Sequence, residues 1–257
     1  MTWTGGAAGA YARCVLAPNP GHMTLEGTNT WILRAPGASR SVVVDPGPLV
    51  EEHLAAVARA AGDVAVVLLT HGHPDHCEGA AAFADRAGCG VRSVDQQWLI
   101  GEAPLSDGEV IEVDGLALRV VASPGHTADS VCFLLLAASA LLTGDTVLGR
   151  GTSVVAHPDG ALGPYLTSLR SLQELCAARR VRQLWPGHGP VLEDPVVVLD
   201  GYRRHREQRL EQVRAALAAG AADALEVVQS VYADVDPVLW PAAEVSVRAQ
   251  LEYLRAE

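Results

Sequence analysis

Apolar positions recur along the chain in two rhythms. Short β-branched runs at residues 41–44, 64–69, 116–121 and 131–136 predict strands. At 49–61 the period lengthens, and Leu54, Val57 and Ala61 share one helical face; at 164–178 Leu166, Leu169 and Leu172 do the same. Strands alternate with helices in places and follow one another as hairpins in others. That mixture predicts two mostly antiparallel sheets with helices outside them. The pattern changes near Pro195, beyond which no strand signal remains. Residues 200–219 predict a long amphipathic helix with Leu210, Val213 and Leu217 inward, and 223–233 and 241–255 predict two more. The expected organisation is a strand-rich domain at 1–199 and a small helical appendage at 200–257.

Composition narrows the class. At 49% hydrophobic and 19% charged residues, the chain is no candidate for disorder. Its 257 residues can bury about three quarters of the unfolded surface without a disulfide scaffold. No apolar run reaches the roughly 20 residues that span a bilayer; the longest, 131–142, is broken by Ala and Ser and reads as buried strands. The start shows no basic stretch followed by an apolar one, so no secretion signal is expected. The five cysteines contain no CxxC pair, and reduced thiols in a cytoplasmic protein are the simplest reading. Net charge is −11, and all 19 basic residues are Arg. This balance opposes a nonspecific nucleic-acid coat, and double-stranded DNA is not expected as a partner.

The chemistry concentrates in Thr70-His71-Gly72-His73-Pro74-Asp75-His76, between a predicted strand and a helix-forming run at 78–87. His71 and His73 lie two apart, so an extended backbone points both the same way. Asp75 and His76 enter the helix start and face a neighbouring position. One metal ion can take the first pair and a second ion the other. Three further residues follow strands in Gly- or Pro-bearing loops: His126 in SPGHT, Asp145 in TGDT and His188 in PGHGP. Loops on one rim of a rigid scaffold are where binding residues collect. Imidazole and carboxylate ligands suit zinc, and also iron or manganese. A lone histidine such as His53 reads as a surface residue.

The HxHxDH motif, followed by single His, Asp and His in that order, resembles the metallo-β-lactamase superfamily over roughly residues 10–200. The resemblance implies a four-layer αββα sandwich. It places His71, His73 and His126 on one zinc ion, Asp75, His76 and His188 on a second, and Asp145 between them. True β-lactamases of the superfamily do not use a bridging carboxylate there, whereas its glyoxalase II, RNA-processing and phosphodiesterase branches do. Asn19-Pro20-Gly21, Met23-Thr24-Leu25, Gly27-Thr28-Asn29-Thr30, Gly149-Arg150-Gly151-Thr152-Ser153 and the Tyr202-Arg203 to Arg206-Glu207 stretch look like the beta-lactamase-like protein 2 family. That family often has His where Tyr202 stands, and its winged-helix-like tail often ends in a hairpin that this chain, ending at Glu257, does not show.

The resemblance implies a dinuclear metallohydrolase that uses a metal-bound hydroxide, and the acidic balance and absence of Lys favour a small ester, thioester or lactone as its substrate. Asp75 and Asp145 would orient that nucleophile or accept its proton. Two alternatives come with the same resemblance: an endoribonuclease acting on single-stranded RNA, and a single-iron oxygenase of the persulfide dioxygenase type. His22, His157 and Tyr165 are candidate substrate contacts because they fall in or beside rim segments. Cys77 reads as a small buried residue. Arg203, Arg204, Arg206 and Arg209 form the most basic stretch; Glu207 and Glu211 at helical spacing predict an ion-paired solvated face there, and phosphate positioning is the alternative. The residues leave the oligomeric state open.

Overall fold

The computed structural model describes residues 2–256. Its strands form two six-stranded sheets. The first runs in spatial order β1 (Gly6–Ala8), β2 (Ala12–Leu16), β3 (Asn29–Leu33), β4 (Arg40–Val44), β5 (Asp63–Leu68) and β6 (Gly90–Arg92). Strands β1 to β4 pair antiparallel, whereas β4, β5 and β6 pair parallel. Parallel neighbours need crossovers, which are α1 (Glu51–Ala61) and then α2 (Pro74–Cys77) with α3 (Ala80–Ala87).

The second sheet contains β7 (Val110–Val113), β8 (Leu116–Ala122), β9 (Val131–Leu135), β10 (Ala140–Gly144), β11 (Gln183–Pro186) and β12 (Leu192–Glu193). Its one parallel pair, β10 with β11, is bridged by α4 (Leu162–Arg179). Helices α5 (Pro195–Ala218), α6 (Ala224–Val231) and α7 (Trp240–Ala256) follow.

The strands read as continuous apolar runs because both of their faces are covered. On β9, Val131, Phe133 and Leu135 point between the sheets toward Trp31, Leu33, Val42 and Leu68. Cys132 and Leu134 point outward to Leu169, Leu172 and Leu199 of the helices. On the other sheet Val43 packs against Leu54, Val57 and Phe83 beneath α1 and α3. The result is the expected four-layer αββα sandwich, and each such aliphatic side chain contributes roughly 1.5–3 kcal/mol by burial. Trp31 and Trp185 stack across the two sheets at 5.2 Å.

Helix α5 starts at Pro195, five residues before the expected start, since proline suits a first helical position. Its buried stripe runs Leu199, Tyr202, Arg206, Leu210, Val213 and Ala216. Leu217, expected inward, is 38% exposed; α6 and α7 pack on the Ala216 side, burying Val213 with Val227, Val228 and Val247. The first half of α5 lies on the sandwich and its end on α6 and α7. Among the described residues no strand follows Glu193, and no helix is long and apolar enough to cross a membrane.

Candidate metal centre

The parallel strands β4 and β5, and β10 and β11, end on one rim, and the chemistry-bearing residues follow those ends. The chain leaves β5 through Thr70 and His71 and enters α2, with Pro74 in its first turn. Asp145 follows β10, and Gly187 and His188 follow β11. His126 follows β8 in a loop where Gly125, at φ +141°, runs against Tyr165 at the start of α4: a Cβ there would lie 2.3 Å from the Tyr165 Cα. Gly187 is equally constrained, since a Cβ would lie 2.5 Å from Asp145 Oδ1.

All seven residues read as ligands converge. His73 Nδ1 lies 3.1 Å from His71 Nε2 and 3.1 Å from His126 Nε2. Asp75 Oδ2 lies 3.1 Å from His188 Nε2 and 3.4 Å from His76 Nε2, and the two imidazole nitrogens are 3.2 Å apart. Asp145 reaches both groups. Its Oδ2 is 3.3 Å from His188 and 3.7 Å from His126, and its Oδ1 is 3.4 Å from His76. Within each trio His71–His73–His126, Asp75–His76–His188 and His71–His76–Asp145, the ligand atoms lie within 4.8 Å of one another.

The protons show why this cluster fits cations. Nδ1 of His76 faces Asp45 Oδ2 at 2.9 Å, Nδ1 of His126 faces the Val154 carbonyl at 2.7 Å, and Nδ1 of His188 faces the Gly27 carbonyl at 3.1 Å. Those acceptors hold the proton on Nδ1, which turns a bare Nε2 lone pair into the site. Neutral rings arranged this way have nothing to share with each other. Asp145 Oδ1 is buried with no hydrogen bond. Lone pairs of nitrogen and carboxylate oxygen aimed at common points are a donor set suited to metal ions.

The charges agree. Burial, with neighbouring imidazoles adding to it, holds His71 well below the ordinary histidine range, and burial lowers His126 as well. Burial opposes the charged form of His76 and His188 too, but there the carboxylates win. Asp75, Asp145 and Asp45 raise His76 well above its usual value, and Asp145 and Asp75 raise His188 to about 9. Burial likewise opposes ionisation of Asp75 and Asp145, and His76 and His188 override it and hold both below the usual carboxylate range.

The residues behind the ligands were mostly missed from sequence. Asp45 closes β4, accepts from the Thr70 amide at 2.8 Å and the Thr70 hydroxyl at 2.7 Å, and backs His76. A single Asp before Pro46-Gly47 reads as an ordinary turn, so only its place at a buried strand end could have flagged it. Thr28 donates its hydroxyl to Asp75 Oδ2 at 3.0 Å. Ser153 Oγ lies 3.2 Å from His126 Nδ1.

The three candidate substrate contacts separate. His22 is exposed and, with Met23, Ser153, Val154, His126 and Asp145, lines a cavity of about 140 Å³ over the ligands. His157 is exposed but lines a different groove, against α6 and α7. Tyr165 is fully buried and donates its hydroxyl to the Thr146 carbonyl at 2.7 Å, so it supports the Asp145 loop from behind. Cys77 is buried as expected, and burial pushes its thiol up to about 12. His53 is buried too, against the surface expectation, with Nε2 2.9 Å from the Thr30 hydroxyl.

Residues 23–228 match the metallo-beta-lactamase superfamily. The chain belongs to that superfamily. Residues 224–257 match the beta-lactamase associated winged helix domain, here represented by α6 and α7. A beta-lactamase-like protein 2 homolog from Caenorhabditis elegans is 32% identical over 253 residues, covering 93% of this chain and 82% of that protein. The lactamase-like protein aptB of Emericella nidulans is 37% identical over 209 residues, covering 79% of this chain; the match spans only 64% of that longer protein. The fold is also that of a metallo-beta-lactamase family protein from Thermus thermophilus, with a TM-score of 0.80 at 24% identity over 95% of this chain and 93% of that one. Both sheets and the helical tail thus follow the superfamily architecture, with a candidate metal-binding cluster of His and Asp on its rim.

Proposed function

We propose that this chain hydrolyses a small ester, thioester or lactone with two zinc ions. The observation that supports this reading is Asp145, whose carboxylate approaches ligands of both trios. His71, His73 and His126 would hold one ion, and Asp75, His76 and His188 the other. When bound, such a pair lowers the pKa of a shared water and polarises the carbonyl under attack. The chain's own residues divide the remaining work. The Asp75 side chain is 27% exposed, against 11% for Asp145. Asp75, the more exposed of the two, accepts the proton of a water arriving from solvent, while Asp145, which lines the cavity, stays between the two trios. Thr28 fixes the Asp75 oxygen so that it does not swing away.

The test uses metal-loaded protein and a His73→Ala variant purified identically, assayed on thioesters, esters and lactones and on labelled single-stranded RNA, with metal content measured on both. Acyl cleavage by the wild type alone is the expected result. RNA cleavage by the wild type alone, without acyl turnover, replaces this reading with an endoribonuclease. One iron per chain and no zinc-supported hydrolysis points to the oxygenase instead.

A further inference from the structure

Helix α5 carries two kinds of arginine. Arg203 pairs with Asp200 at 2.8 Å and Glu207 at 2.6 Å, Arg204 with Asp200 at 2.9 Å, and Arg214 with Glu211 at 2.5 Å. Of the four arginines expected on an ion-paired outer face, Arg203 and Arg204 stand there. Arg206 and Arg209 turn the other way. Arg206 is only 6% exposed, donates to the Ser153 carbonyl, lies 5.1 Å from the Tyr165 ring centre and has no ion pair among the described residues. Its Nε has no partner. Arg209 donates to Gln212 and to the Val231 carbonyl and lies over the Tyr232 ring at 4.5 Å, again without a carboxylate. A buried guanidinium without a counter-ion is costly, and proteins keep such groups paired.

Both arginines line one cavity of about 270 Å³ between the 152–154 loop and the helical tail. Its wall contains no Asp or Glu, in a chain whose net charge is −11. The opposite wall is apolar, with Tyr232, Val235, Leu239 and Ala243. The cavity shares His22, Met23, Thr152, Ser153 and Val154 with the smaller cavity over the metal ligands. The two cavities therefore adjoin along these residues.

We propose that this second cavity binds the anionic end of the substrate: a carboxylate or phosphate, on a small apolar or aromatic body, held by Arg206 and Arg209. The proposal rests on the hydrolase reading and names its substrate class. Guanidinium forks suit both anions. The anion supplies the missing counter-charge, its apolar body packs on Tyr232 and Leu239, and its scissile end reaches the rim.

The experiment titrates zinc-loaded protein calorimetrically with three unreactive probes: 4-phenylbutyrate, phenylphosphonate and the neutral 4-phenylbutyramide. At least one anion binds tighter than the amide by about tenfold or more, the worth of roughly one charge-assisted hydrogen bond, and the stronger of the two identifies the group. Arg206→Gln and Arg209→Gln each remove that preference with metal content unchanged. Arg209 touches no ligand or its support, so it decides the matter where Arg206→Gln does not fold. Equal binding of all three probes overturns the proposal, as does a preference that survives in either folded variant, which would put the anion on the metals. Anion binding through the arginines without ester turnover removes the hydrolase reading and leaves the site, whereas ester turnover without charge preference removes the site alone.

Discussion

The Asp45 carboxylate reaches His76 across the rim, with Oδ2 2.9 Å from Nδ1, and takes the Thr70 hydroxyl at 2.7 Å on the same oxygen. Thr70 in turn lies 3.0 Å from Nδ1 of His71. One buried residue therefore orients one ligand in each group. Asp45 sits at φ 51°, a left-handed conformation that Asp and Asn both tolerate. Asp45→Asn should keep the backbone while removing the charge and one of the two acceptor oxygens. Metal affinity should fall by about 10–100-fold, the usual effect of losing a partner behind a metal-bound histidine. Competition against a chromophoric chelator measures it, and unchanged affinity would show that Asp45 serves packing alone.

Asn29 does the corresponding work for His188. Its Nδ2 donates to the carbonyls of Pro186 at 3.0 Å and Gly189 at 2.8 Å, bracketing the histidine, while its Oδ1 accepts from Trp3 Nε1 at 2.8 Å. It thereby ties β3 of one sheet to the loop after β11 of the other. Asn29→Ala takes the partner from the Gly189 carbonyl and the half-buried Trp3 indole N–H, while the Pro186 carbonyl keeps Trp31 Nε1; the loss should cost about 1–3 kcal/mol for each group left unpaired. Denaturant unfolding of the metal-free protein reads this directly. A loss under about 0.5 kcal/mol, the size of an ordinary surface substitution, would contradict it.

These supports explain what could be read from sequence. His71, His73, Asp75 and His76 occupy six residues of one turn, so local spacing alone exposes them. His126, Asp145 and His188 are isolated in sequence, and it was their order within a resemblance, not their spacing, that joined them to the cluster. The roles of Asp45 and Arg206 carry no local signal, although Arg206 stands in the basic stretch, because each role is defined by partners brought from other elements: Thr70 and His76 for one, Ser153 and Tyr165 for the other. The αββα layering was legible because both sheets bury continuous apolar runs. The inward face of α5 was legible through Val213 and failed at Leu217, where α6 and α7 decide which side is covered.

Asp145 is the expected link between two metal ions. Asp145→Asn weakens that link while keeping the shape, so bound metal should fall from two ions toward one per chain and hydrolysis by about 100-fold or more. Elemental analysis after gel filtration gives the count. Gly187→Ala tests the same contact from outside the ligand set, since the new Cβ would lie 2.5 Å from Asp145 Oδ1 and 2.7 Å from His76 Cε1. It should lower metal content with little change in far-ultraviolet circular dichroism. Two ions retained in both variants would remove Asp145 as the link.

His53 supplies a pH dependence independent of the ligands. Burial, only partly opposed by the Pro46 carbonyl, pushes its pKa down to about 4 from an ordinary value near 6.5. The folded state therefore holds the neutral ring, while the unfolded chain takes up a proton once the pH drops below about 6.5. Stability from His53 is fully present above that pH and is lost as pH falls toward 4. His53→Gln can keep a hydrogen bond to the Thr30 hydroxyl but cannot take up the proton. Metal-free wild type should thus lose more melting temperature between pH 7 and pH 4.5 than metal-free His53→Gln does, because every other titrating group is common to the two proteins. Thermal unfolding at both pH values gives the comparison. Parallel losses would mean that the buried ring accepts a proton without opening the contact between α1 and β3.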